Sequence, residues 1–174
     1  MGTNLKDLIV SEEIDIKKLS GKRLVVDSFN VLYQFLTTIR QRDGSLLTDS
    51  SGRVTSHLTG LFNRTTRLMI NGIRPIFVFD GVPPKLKEKE RERRIAVKLK
   101  AEKEYELAKA REDIEAMKKY AARTSKLTKE MIEESKELIK AFGVPVIQAP
   151  CEGEAQVAYV VNKGDAFAGV SEDY

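Results

Sequence analysis

An α/β fold, built on a mostly parallel sheet flanked by helices, is predicted by three features of the 174-residue chain. Four short apolar runs have the length and the β-branched or aromatic content of buried strands: Arg23-Leu-Val-Val-Asp27, Ile76-Phe-Val-Phe-Asp80, Val144-Pro-Val-Ile147 and Ala166-Phe-Ala-Gly-Val170. Segments with helical apolar spacing stand between them, and that alternation is the signature of parallel strands joined by helical crossovers. Each run is also followed by carboxylates: Asp27, Asp80, Glu152 with Glu154, and Glu172 with Asp173.

From the N-terminus, a turn around Leu5 to Val10 leads into the Asp27 strand. Val31, Leu32, Phe35, Leu36 and Ile39 recur at helical spacing and predict a helix from about Phe29 to Arg40. Between Gln41 and Val54, Asp43-Gly44 and Ser51-Gly52 are turn signals on either side of Leu46-Leu47, which predicts a small hairpin or loop. Thr55 or Ser56 caps a helix running to about Ile70, and Asn71-Gly72 stops it. After the Asp80 strand, Gly81 and Pro83-Pro84 break the regular structure. From Lys85 to about Ala122 the chain is almost continuously helix-forming, yet its apolar stripe is too thin for packing along the whole length, so the segment stands partly in solvent. A packed helix follows Thr128, carries Met131, Ile132, Leu138, Ile139 and Phe142, and stops at Gly143. Glu152 opens another helix through Val161, and Lys163-Gly164-Asp165 turns into the last strand.

Composition narrows the chemistry. With 41% hydrophobic residues the chain can bury a core without disulfides or a structural metal. The single cysteine, Cys151, allows no internal disulfide and no Cys-rich zinc site. The single histidine, His57, argues against a His-ligated metal or a Ser-His-Asp triad and reads as a structural residue at a helix start. No apolar run approaches the ~18 residues of a membrane helix. The start Met1-Gly2-Thr3-Asn4-Leu5-Lys6 lacks a signal peptide's apolar core, so an intracellular protein with no membrane partner is expected. The net charge of +4 is unevenly spread: Lys85 to Lys126 holds fifteen Lys and Arg against nine Asp and Glu, a local +6 that leaves −2 elsewhere. One part suits a polyanion and another gathers acids.

Open parallel sheets place their sites outside the carboxyl ends of the strands, so the four sets of acids are expected to converge on one crevice. Crowded carboxylates cannot all stay ionised without a cation. Hard divalent ions such as Mg2+ take oxygen ligands, and an all-carboxylate site serves phosphate chemistry. The pattern therefore points to a metal-dependent reaction on phosphodiesters. Taken singly, any of these acids also reads as a helix cap or a surface charge, a reading that weakens for the set of four strand ends.

The motifs carry a family resemblance. Val25-Val-Asp-Ser-Phe-Asn30 with Tyr33-Gln-Phe-Leu36, Ile39-Arg-Gln41, Thr55-Ser-His-Leu58, Gly60-Leu-Phe62, Arg64-Thr65, Asn71-Gly-Ile73, Pro75 through Gly81, Pro83-Pro84, Ala149-Pro150, Glu152-Gly-Glu-Ala-Gln156 and Ser171-Glu-Asp173 occur in order over essentially the whole chain. Together they resemble the structure-specific flap endonuclease family of 5′ nucleases, in its archaeal form. Two departures stand out. Cys151 occupies a position where the family has Ser, and the chain stops at Tyr174, one residue before the second Asp of the family's Asp-x-Asp pair.

The resemblance implies a PIN-like 5′ nuclease fold with a protruding basic helical arch. It divides the chain into an N-terminal nuclease region over 1–98, an arch over 85–126, and the first part of the internal nuclease region over 127–174, with a C-terminal remainder absent. It implies that Asp27, Asp80 and Glu152 hold one Mg2+ and that Glu154 and Asp173 help to hold a second, with Mn2+ able to substitute. Lys87 and Arg94 would steer the scissile phosphate, Tyr33 would stack on a base beside the cut, Arg40 and Arg64 would contact substrate strands, and Gly2 would lie near the site. The implied activity is 5′ flap endonuclease with 5′-3′ exonuclease activity, by two-metal hydrolysis of branched DNA in Okazaki fragment maturation and base excision repair. A sliding clamp would dock on a C-terminal tail outside this chain, and the location would be the cytoplasm.

Other readings of the same residues stay open in the sequence. Most Lys and Arg of the basic segment fit a solvated helix face with i,i+4 pairs such as Glu90 with Arg94. Tyr33 lies in an apolar helix where core packing serves equally. A related 5′-3′ exonuclease or repair endonuclease, and a DNA-binding module without catalysis, are the rival functions.

Overall fold

The structure, a computed structural model, describes residues 11–171. The expected turn at Leu5 to Val10 and three expected site or strand-end residues, Gly2, Glu172 and Asp173, lie outside the described residues. The chain divides into two compact units. One takes the described residues of Met1–Val31, Phe62–Val82 and Glu137–Tyr174, the other those of Leu32–Leu61 and Pro83–Lys136.

The first unit is built on four strands, β1 (Arg23–Asp27), β2 (Arg74–Phe79), β3 (Val146–Gln148) and β4 (Ala168–Val170). They pair in the order β3-β2-β1-β4, every pairing parallel, as the alternating apolar runs predict. Val26 of β1 lies between Phe77 of β2 and Val170 of β4, so the two central strands are covered on both flanks. Val25, Val78, Ala149, Val160 and Ala166 form a buried cluster, with Ile76, Ile147, Val157 and Val161 packed against it. β3 starts two residues later than its apolar run because Pro145 has no N–H for the ladder; its carbonyl instead accepts from Phe77 N at 3.0 Å.

Helices connect these strands: α1 (Ser28–Thr38), α2 (Ser56–Ile70), α3 (Glu88–Ala110), α4 (Ile114–Ala121), α5 (Lys129–Ala141) and α6 (Gly153–Asn162). α1 ends two residues before Arg40 because Arg40 turns into an antiparallel bridge with Leu46 around Gly44; a second, separate bridge pairs Thr48 with Val54 in a small hairpin around Gly52. The Ser56 hydroxyl accepts from Leu47 N at 2.9 Å, which ties that hairpin to the start of α2. Thr128 caps α5 through Oγ1, which accepts from Met131 N at 3.3 Å.

In the second unit the basic segment departs from the single helix its composition suggests. The helix breaks at Glu112, whose φ is 55°, and Asp113 caps the next one by accepting from Ala116 N at 3.0 Å. α4 folds back on α3, and small residues are buried in this hairpin: Ala101, Ala108 and Ala121. Alanines allow two helices to approach closely, and that tertiary contact outweighs the propensity to continue. Ile95, Val97 and Leu99 remain exposed on α3, in keeping with its thin apolar stripe. Among the described residues no helix is long and apolar enough to cross a membrane.

Gly81 fixes how β2 leaves the sheet. Its N–H donates to Cys151 O at 2.6 Å, and a Cβ there would lie 2.6 Å from Pro150 O and closer still to Ala149 O, both backbone atoms. Gly81→Ala is therefore expected to cost about 1–3 kcal/mol through overpacking. Thermal unfolding checks it; a melting temperature unchanged within error would show that the loop yields freely.

Candidate functional site

β1 ends in Asp27, and the chain passes directly into α1. The Asp27 Oδ1 accepts from Phe29 N at 3.0 Å and from Asn30 N at 3.2 Å, capping the helix that follows. The residue is only 6% exposed. Burial pushes its carboxyl above the ordinary value of 3.8, the two backbone N–H groups oppose that, and the negative charges of Asp80 and Glu154 push it up further. Two neighbouring carboxylates thus act on the most buried of the described strand-end acids.

Asp80 lies one residue past β2 and serves a helix that is distant in sequence. Its Oδ1 accepts from Gly153 N, the first residue of α6, at 2.6 Å. Two acids on adjacent strands therefore each occupy a helix N-terminus, where the helix dipole favours negative charge. Gln148 at the end of β3 fixes the strand carrying Asp80: its Nε2 donates to Phe79 O at 3.2 Å and to Asp80 O at 2.6 Å. A Cβ on Gly153 would lie 2.5 Å from Asp80 Oδ1 and 3.7 Å from Asp27 Oδ1, so the bare glycine backbone lets α6 start against both carboxylates.

Glu152 occupies the N-cap of α6 in extended conformation, and its side chain makes no capping bond. Glu154 stands in the first turn of α6 and is exposed. The sheet order reverses between β1 and β4, and Asn30 Nδ2 donates to Ser171 Oγ at 3.3 Å across that edge. The structure thus brings Asp27, Asp80 and the start of α6 together. Among the described residues it does not draw three His, Cys, Asp or Glu side chains close enough to hold an ion. What is present suits a hard cation: carboxylate oxygens, and a carboxyl disfavoured as an anion by burial and by its neighbours.

The remaining sequence-predicted residues lie elsewhere. Tyr33 is 38% exposed on α1, and the Lys98 ammonium lies 5.1 Å from its ring centroid, while Val31, Leu32, Phe35 and Leu36 fill the buried side of that helix. Arg40 is half-buried; its Nη1 donates to Gly44 O and its Nη2 to Ser125 Oγ, each at 2.6 Å, and desolvation pushes the guanidinium down. Arg64 is half-buried on α2. Lys87 is exposed at the start of α3, and Arg94 is exposed one turn beyond Glu90, with which it pairs at 3.2 Å as the helical spacing predicts. His57 is fully buried, with Nε2 3.2 Å from Glu134 Oε2, and burial holds its pKa down against the pull of that carboxylate. Sequence reasoning missed Gln148, Gly153, Lys98 and Ser125. Only Gly153, between two glutamates at a helix start, carried any local signal.

Two family descriptions match the chain: the XPG N-terminal domain over residues 3–101 and the XPG I-region over residues 143–174. Flap endonuclease 1 of Staphylothermus marinus is 54% identical over 178 residues, covering 100% of this chain and 51% of that protein. The Pyrococcus horikoshii flap endonuclease 1 is 50% identical over 174 residues, with 100% and 51% covered. This chain therefore spans about half the length of the curated relatives it matches. Among solved structures, a flap endonuclease-1 from Methanococcus jannaschii superposes with a TM-score of 0.73 at 48% identity, over 99% of this chain and 55% of that one. The catalytic core of Rad2 in complex with a DNA substrate matches with a TM-score of 0.64 at 30% identity, over 93% and 41%.

Asp27→Asn tests the electrostatic reading without substrate. Because the folded-state pKa lies above the unfolded one, ionisation of Asp27 opposes folding once the pH rises past 3.8 and through the raised value. Asparagine keeps the capping oxygen and loses the charge. In metal-free buffer near neutral pH the variant is expected to melt a few degrees higher, about 2–4 °C. That gain should vanish below the ordinary aspartate range. Equal or lower stability at neutral pH would contradict the reading.

Proposed function

The chain belongs to the flap endonuclease branch of the XPG family, and from that premise we propose that the protein hydrolyses phosphodiester bonds of branched DNA at a 5′ flap. The observation that carries the proposal is the meeting of Asp27, Asp80 and the start of α6 at the ends of parallel strands, where burial, with Asp80 and Glu154 adding to it, pushes the Asp27 carboxyl up. The names of the relatives support the flap substrate, and the DNA held by the Rad2 core supports DNA binding.

On this reading Asp27, Asp80 and Glu152 would hold one divalent cation, and by resemblance Glu154 and Asp173 would serve a second. Mg2+, or Mn2+ in its place, would supply charge stabilisation at the phosphate and a more acidic attacking water. Asp27 and Asp80 also keep the N-termini of α1 and α6 in place, so the ligand oxygens are oriented by the fold before any ion arrives. Lys87 and Arg94 offer exposed positive charge to the phosphate, and Tyr33 offers an exposed ring face to a base. Arg64 and Gly2 belong to the same substrate surface by resemblance. So do the 5′-3′ exonuclease activity, Okazaki fragment maturation, base excision repair and a sliding-clamp partner. Arg40 belongs to that surface by resemblance as well, and its Nη1 and Nη2 also donate to Gly44 and Ser125.

Alanine at Asp27, Asp80 or Glu152 in the complete protein is expected to lower flap cleavage by at least about a thousandfold, the weight of several kcal/mol of charge stabilisation. Flap binding should stay within a few fold, since phosphate contacts elsewhere supply affinity. Near-normal rates in Mg2+ would end the metal assignment. Lys87→Ala or Arg94→Ala should reduce the single-turnover rate by about a hundredfold with much less change in Kd. Equal losses in rate and affinity would reduce both residues to generic phosphate contacts.

A further inference from the structure

In the second unit a set of side chains that the strand-end acids do not require meets at Ser125. This serine is buried; its Oγ accepts from Arg40 Nη2 at 2.6 Å and donates to Leu36 O at 3.3 Å. Its backbone carbonyl accepts from Lys98 Nζ at 3.1 Å. The same ammonium stands 5.1 Å from the centroid of the Tyr33 ring. The next residue, Lys126, pairs with Glu102, one helical turn beyond Lys98. Segment 125–126 is therefore docked on α3 at two successive turns, and α1 is tied to the same point through Leu36 and Tyr33.

The geometry commits the Lys98 ammonium to groups of the protein itself. Lys98 is half-buried, with Lys126 and Arg94 acting on it as like charges and Glu102 as an opposite one, and it directs its ammonium at a carbonyl and a π face, the interactions that suit a partly desolvated cation. Arg94 lies one turn before it on α3.

We infer that Lys98 is a positioning residue: by clamping the Tyr33 ring to α3 it holds the ring that stacks on a base and the turn that carries Arg94 in one fixed register. The inference rests on the roles given to Tyr33 and Arg94 above. Removing the ammonium would free the ring and loosen the turn together, so the loss would pass through Tyr33 and not through a missing phosphate contact.

The test uses the complete protein with Lys98→Met, which keeps the stem and removes the charge, Lys98→Arg, which keeps the charge, and Tyr33→Leu. With 3-fluorotyrosine at position 33 and no DNA present, Lys98→Met should shift and broaden the fluorine resonance, and Lys98→Arg should restore it. On a flap substrate, Lys98→Met should slow single-turnover cleavage by about tenfold, within the range a partly buried cation–π contact supports. That loss should disappear in the Tyr33→Leu background. The salt dependence of binding should not change, whereas loss of a direct phosphate contact would flatten its slope by about 0.7–0.9. Ser125→Ala separates a folding defect from the clamp: it keeps the carbonyl acceptor of Lys98 and removes the partner of Arg40, so it should lower thermal stability and leave the fluorine signal in place. An unmoved resonance in Lys98→Met, additive losses with an impaired Tyr33→Leu, or a flattened salt slope would each overturn the inference. A Tyr33→Leu variant that cleaves at the wild-type rate would instead remove the stacking role on which the inference stands, so the two failures are seen separately.

Discussion

Two carboxylates at the ends of adjacent parallel strands each hold the N-terminus of a helix, and the rest of the first unit is arranged around that double engagement. Asp27 holds the helix that follows it, and Asp80 holds one that begins 73 residues later. The parallel register of β1 and β2 puts the two acids side by side, and Gly81 and Gly153 remove the side chains that would keep the backbone segments apart. The helix dipoles and N–H groups favour the anions, while burial and mutual repulsion oppose them. The balance leaves the Asp27 carboxyl raised above its ordinary value.

The second unit handles charge differently. Many of its basic residues lie on a helical hairpin in which alanines are buried, and those cations remain largely on the surface. Some are engaged within the protein: Arg94 with Glu90, Lys126 with Glu102, Arg40 with Gly44 and Ser125, Lys98 with Ser125 and the Tyr33 ring. A surplus of Lys and Arg in a segment is thus a mixture of groups that build the surface and groups offered to a ligand. The engaged groups differ in burial: Arg40 and Lys98 are half-buried, while Arg94 and Lys126 are exposed, as Lys87 is.

Much of this was legible in the sequence where the determinants are local. The apolar runs ending in Asp27 and Asp80 placed both acids at strand ends, and the helix period placed α1, α2 and α5 within a few residues of their observed limits. The break at Glu112 was not foreseen, although Asp113 is a good N-cap, because the alanine contacts that favour folding back leave no strong periodic trace. The engagement of Asp80 with Gly153 and the hold of Gln148 on Asp80 depend on strand order, which single-residue patterns do not encode. The same holds for Ser125, which links residues 85 and 89 positions away in the chain. The functional roles of Lys87, Arg94 and Tyr33 came from family resemblance, and their positions in the second unit make them accessible without assigning those roles.

The proposal turns on Asp27 being a buried carboxyl that the fold raises above its ordinary value and that would bind a cation. Titration of its side-chain carboxyl by carbon-13 NMR, with and without Mg2+, tests this most directly. The account predicts a midpoint above the ordinary 3.8 in metal-free solution and a marked fall when Mg2+ is added, because a bound cation favours the ionised form. A midpoint at or below 3.8 that Mg2+ does not move would contradict it.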